Sequence, residues 1–128
     1  MRSRHRVDEH GQATVELVLC LPIMALVLGF LIEIGLLVGD QVRLWHAARE
    51  TARVAIVDSN PDEIRRAAEH GGLAPVDIDV DPEFADRSTG RPLTVTLTYR
   101  PSGRLPLLGP LVANRTMTSS ATMRLEQP

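Results

Sequence analysis

Between Leu17 and Gly39 the chain runs for 23 residues with a single charge, Glu33, and the hydrophobic positions there follow no period. As a helix rising about 1.5 Å per residue, that run reaches about 34 Å, slightly more than the roughly 30 Å hydrocarbon core of a bilayer, and it predicts a membrane-spanning helix. Past Gly39 a period of three to four sets in. Val42, Trp45, Ala48, Ala52, Ala55 and Ile56 form one apolar stripe, while Arg43, Glu50 and Arg53 fall off it and His46 stands four residues before Glu50. This predicts an amphipathic continuation of the same helix over 40–57. Asp58-Ser59 breaks the pattern, and Asn60-Pro61-Asp62-Glu63 restarts it with an N-cap, a proline at the first helical position and an acidic first turn. The second helix, 61–70, stops at Gly71-Gly72, where glycine can take a left-handed cap. The period then falls to two: Val76, Ile78 and Val80 alternate with Asp77, Asp79 and Asp81, and Leu93, Val95, Leu97 and Tyr99 with Thr94, Thr96 and Thr98. Strands are predicted near 76–81, 93–100 and 116–126, giving an α+β fold in which a long helix and a short one accompany a small antiparallel sheet.

Composition sharpens this division. Of the 30 formal charges in 128 residues, 29 lie outside the 17–39 run. Three segments follow: a short arginine-rich start at 1–11, a membrane helix at 12–39 and a polar domain at 40–128. The 89 residues from Asp40 onward carry three aromatics, Trp45, Phe84 and Tyr99, enough for one small core and too little for a multidomain enzyme. A net charge of -2 offers no footprint for nucleic acid, and Cys20 as the one cysteine excludes both an internal disulfide and a cysteine zinc site. The apolar run exceeds the length of a cleavable signal, and Leu37-Val38-Gly39 is a poor cleavage site. Cys20 follows Leu19 where a lipoprotein signal wants a small residue. Charge alone does not orient the helix, because Arg2, Arg4 and Arg6 on one side are balanced by Arg43, Arg49 and Arg53 on the other.

Candidate chemistry is sparse. His5, His10, His46 and His70 are scattered, and neither a nucleophile elbow nor a glycine-rich phosphate loop occurs, so no catalytic residues, no cofactor and no enzymatic activity are expected. Asp77-x-Asp79-x-Asp81 opens like a calcium loop but then departs from it: Pro82 stands where glycine is required and Ser88 where the bidentate glutamate belongs. Carboxylates on a solvated strand face are the expectation, with an irregular site involving Glu83 and Asp86 as the alternative. Leu105-Pro106-Leu107-Leu108-Gly109-Pro110-Leu111-Val112 is apolar for a loop. It either folds over the sheet or helix to complete the core or meets a neighbouring subunit. Asn114-Arg115-Thr116 matches a glycosylation triplet of little weight. Pro22 should loosen the membrane helix by removing one backbone donor. Glu33 lies seven residues before Asp40, about 10 Å inside the outer end of the run, where an ionised carboxylate needs a partner, water or a proton. Gly35 and Gly39 make a small-xxx-small pair beside it, as do Ala25 and Gly29, and Glu33, Gly35 and Gly39 are expected to share a helix-association face.

The segment Gly11-Gln12-Ala13-Thr14-Val15-Glu16-Leu17 sets a glycine five residues before a glutamate at the mouth of the apolar helix. It resembles the prepilin-peptidase site of type IV pilins. That resemblance implies cutting between Gly11 and Gln12 on the cytoplasmic side, and a role for Glu16 in meeting the amino terminus of a neighbouring subunit; a snorkelling Glu16 is the plainer alternative. Taken from Gly11 to Glu126, the chain resembles the TadE-like family, small pseudopilins of tight-adherence (Tad/Flp) pilus systems. The resemblance rests on the start motif running into Leu-Val-Leu-Cys-Leu-Pro, on Ala47-Ala48-Arg49-Glu50-Thr51-Ala52-Arg53, and on the closing Leu97-Thr98-Tyr99 and Thr118-Ser119-Ser120-Ala121-Thr122-Met123-Arg124. It implies a minor pilin in a cell membrane, crossing once with its N-terminus in the cytoplasm and its domain outside. The implied partners are a prepilin peptidase, a TadF-like pseudopilin, the Flp major pilin, the Tad inner-membrane platform and membrane lipid. Leu17 departs from the major Flp pilins, which carry an aromatic after the glutamate and lack so large a domain. The alternative is a single-pass anchored protein whose domain binds a ligand or envelope partner outside any filament.

Overall fold

The computed structural model describes residues 9–83, 90–102, 109–112 and 114–124. Its elements in chain order are α1 (Glu9–Val57), α2 (Pro61–Glu69), β1 (Val76–Asp81), β2 (Pro92–Tyr99), a single-turn α3 (Gly109–Val112) and β3 (Met117–Arg124). The predicted α+β fold is therefore present. The three strands form one antiparallel sheet in the order β1-β2-β3. The arginines of the start, Phe84, Asp86, Ser88, Leu105 to Leu108 and Glu126 lie outside the described residues.

α1 is one helix of 49 residues, about 73 Å long, and it continues through Pro22. The helix runs unbroken through Asp40-Gln41, where its apolar part meets its amphipathic part. What changes along it is the cover. From Gly11 to Ile32 almost every side chain is exposed, whereas from Glu33 onward one face is buried beneath the remainder of the chain, called the head here. That face is Leu44, Ala47, Ala48, Thr51, Ala52 and Ala55. The stripe read from the sequence is thus rotated: Ala48, Ala52 and Ala55 belong to it, but Val42 and Trp45 are exposed and Leu44 takes the inward place. Size explains the choice, because alanines let both α2 and the sheet approach the helix axis; at Gly71 an added Cβ would stand 3.4 Å from the Ala47 Cβ. Thr51 is fully buried and its hydroxyl donates to the Ala47 carbonyl at 2.7 Å, so its burial leaves no orphaned donor.

α2 starts where the sequence predicts. The Asn60 side chain accepts from the Asp62 amide at 3.0 Å, with Pro61 next to it. Ile64 and Ala68 face α1, and Gly72 takes the left-handed conformation that turns the chain toward β1. In the sheet the inward rows are Val76-Tyr99-Met117, Ile78-Leu97-Ser119 and Val80-Val95-Ala121, and Leu93, Val95, Leu97 and Tyr99 form the floor of the core. The outward rows are Asp77-Thr98-Thr118, Asp79-Thr96-Ser120 and Asp81-Thr94-Thr122, with the Thr94 and Thr122 hydroxyls 2.9 Å apart. Period two in the sequence is therefore a small-residue polar face over an aliphatic one.

Candidate functional site: two sides of the long helix

Of the residues singled out in the sequence, Gly11, Gln12 and Glu16 lie within α1 and are exposed, and a Cβ at Gly11 would meet nothing within 4 Å. Close backbone approach by a second protein is sterically open there. Glu33, Gly35 and Gly39 behave differently from the expectation of one shared face. Glu33 is 3% exposed and engaged within its own chain, and Asp40 is 4% exposed. Both stand in the row Glu33, Asp40, Leu44, Ala47, Thr51, whose spacings of seven, four, three and four residues are those of one helix face. At about 100° per residue Gly35 points about 160° away from Glu33 and Gly39 about 120° away. Both glycines are exposed, with open space where a Cβ would go. The reason is the head: it claims the Glu33 side and leaves the glycine side bare.

The bare side holds a feature that the expected stripe concealed. Ile34, Val38, Val42 and Trp45 recur at four, four and three residues along it, with Val38 58% and Trp45 42% exposed. The Arg49 guanidinium lies 3.8 Å over the Trp45 ring, and the His46 ring meets Trp45 edge-on at 5.3 Å. The available signal was the Trp45/Arg49 spacing of four, which sets a cation over an aromatic on a helix surface. On the covered side Asp40 lies 3.7 Å from Arg43.

Burial of Glu33 also moves the boundary of the lipid-facing segment. Counting back from Ile32, the 20 residues needed to cross about 30 Å end at Ala13. Glu16 then sits about one turn inside that span, where a carboxylate is costlier than at its edge. α1 is long and apolar enough to cross a membrane. Among the described residues no group of three or more His, Cys, Asp or Glu side chains is placed to hold a metal ion, and Asp77, Asp79 and Asp81 point outward in a column on the edge strand.

These features define a class: a protein with one helix fit to span a membrane, half of it bare and half packed under a small α+β head. A model of the family described as TadE-like protein matches residues 11–53, from the glycine of the start motif to the last turn or so of α1. Over those residues the chain is similar to the TadE-like family. No curated protein and no solved structure matches the chain.

Proposed function

We propose that the protein is a minor pilin or pseudopilin of a Tad/Flp-type pilus, cut after Gly11 by a prepilin peptidase and taking part in assembly or priming of the filament without catalysing a reaction. The observation that carries the reading is the TadE-like match beginning at Gly11 and covering the bare helix together with most of the covered half of α1. The geometry supports it in two ways. Gly11 offers unobstructed backbone, and the outer half of α1 keeps one apolar side, from Ile34 to Trp45, clear of the head. That side is where another pilin-like subunit, TadF-like or Flp, would pack, with Gly35 and Gly39 shortening the distance between helices. Glu16, one turn inside the lipid-facing span, would be matched by the amino terminus of such a neighbour. In this reading the N-terminus is cytoplasmic, the head is outside, and the Tad inner-membrane platform receives the processed chain.

Intact-mass measurement of the membrane-purified protein tests the processing step. The expected product starts at Gln12 and has 117 residues, 128 minus 11. Gly11→Arg should abolish the cut, and Glu16→Gln should leave membrane insertion intact while reducing co-purification with other pilin-like subunits. Mature protein that retains Met1 overturns the pilin reading in favour of a plain anchor.

A further inference from the structure

The head has two ends along α1, and they differ in charge. α2 runs back along α1 until Gly71 lies against the Arg43 carbonyl and Ala47, and β1 starts soon after. β2 finishes and β3 begins at the same level, since Tyr99 is paired with Met117 and the Gln41 side chain donates to the Thr118 carbonyl at 3.5 Å. This near end, facing the bare half of α1, therefore gathers, among the described residues, 70–75, 100–102, 109–112 and 114–116. Among its described residues Arg43, Arg100 and Arg115 are exposed against one exposed carboxylate, Glu69 in the last turn of α2; Asp40 at that level is buried, and Asp77 stands one row further up the sheet. The far end carries Asp58, Asp62, Asp81 and Glu83 exposed, with Arg91 and Arg124 among them.

Glu33 fixes how low the near end reaches. It lies about 12 Å below Gln41 by helix rise, and its burial requires the chain to cover α1 down to that point. The head thus overlaps the outer part of the apolar run, and with α1 across a bilayer its near end would stand at the depth of lipid headgroups. We propose that this end seats on the leaflet from which α1 emerges, with Arg100 and Arg115 bound to the phosphates of anionic lipids. The proposal rests on the reading that α1 spans a membrane, and it holds for either orientation of the helix. Cations at the surface of an anionic leaflet are attracted within a Debye length, each contributing about fivefold to the ratio of seated to lifted head. The acidic far end, about 24 Å further along α1 by helix rise, lies beyond that length and neither adds to nor opposes the seat.

The test uses the full chain with Cys20→Ala and one new cysteine at a time, labelled with a fluorophore and reconstituted in vesicles of phosphatidylcholine, with or without phosphatidylglycerol. Ser102→Cys reports the near end, Ser59→Cys the far end and Leu28→Cys the bare helix. A headgroup-attached quencher should quench the label at 102 and spare that at 59, more strongly with phosphatidylglycerol present. Arg100→Glu with Arg115→Glu should remove that lipid dependence while protease resistance of the head stays unchanged. If 28 is quenched from the acyl chains but 102 is no more quenched than 59, or if 102 ignores both lipid charge and the double reversal, the seat is overturned while the span stands. If 28 escapes an acyl-chain quencher, the span is overturned and the seat with it.

Discussion

The two halves of α1 are continuous in backbone and opposite in composition. From Leu17 to Ile32 the helix is built mostly of Leu, Ile, Val, Met and Phe side chains exposed all round, whereas from Glu33 to Val57 its buried face is mostly alanine. Lipid rewards large apolar side chains in every direction, because each one is solvated by hydrocarbon and none must fit a neighbour. A packed head rewards small ones on one side, because closeness of α2 and the sheet decides how much surface leaves water. The same helix therefore shows which solvent each stretch is built for, and Glu33 marks the change: a carboxylate that lipid would exclude sits under the chain's own cover.

The strongest test of this contrast is truncation of a large side chain in each half. Leu44→Ala removes the only leucine that α1 buries fully, and it should destabilise the head by about 2–5 kcal/mol in denaturant unfolding. Leu28→Ala, in the bare half, should leave head unfolding unchanged within about 0.5 kcal/mol. Equal effects from the two would show that the halves are not separate in energy.

Next in size is the reverse change. Ala47→Leu places three more carbons at a position 5% exposed, where even a Cβ added at Gly71 would stand only 3.4 Å away, and overpacking there should cost about 1–3 kcal/mol. Val27→Leu adds a methylene in the bare half and should cost nothing measurable in head stability. Slightly smaller is the cap: Asn60→Ala removes the acceptor of the Asp62 amide and should lower head stability by about 1 kcal/mol, seen as a shift in the urea midpoint without a change in slope.

These magnitudes bear on what the sequence made legible. Elements defined by strong periodicity or by local chemistry were readable from residues alone. The Asn60-Pro61 start, the glycine stop and the two alternating strands fall within a residue or two of their structural bounds. The helix face was not, because Val42 and Trp45 fit an apolar stripe about as well as Leu44 and Ala47 do, and hydrophobicity does not say which of two adjacent stripes meets alanine-sized partners. The candidate assembly site divided for a similar reason. Glu33, Gly35 and Gly39 are neighbours in sequence, yet which side of the helix the head occupies is decided by contacts with α2, β2 and β3 far along the chain. What remained readable was the start motif, since Gly11, Gln12 and Glu16 are recognised by spacing along the chain alone, and the family match begins at Gly11.

The smallest effect on stability is expected on the bare side of the outer half, and it separates folding from association. Trp45→Ala removes an exposed ring and the stacking partner of Arg49, a contact worth about 0.5–1 kcal/mol at an exposed site. No packed neighbour in the core loses volume, so unfolding of the head should shift by at most that amount. If the Ile34-to-Trp45 side packs against another subunit, the same substitution should weaken co-purification of that subunit far more than its stability effect would suggest, because large aromatics concentrate binding energy where they become fully desolvated. Val38→Ala should act in the same direction with a smaller loss. The control is Glu50→Ala, which touches only the exposed pair with Arg53 and should change neither reading. Should Trp45→Ala and Glu50→Ala leave partner recovery equally intact while both heads stay folded, the bare side of α1 faces lipid and water alone, and association must be assigned to the inner span around Glu16.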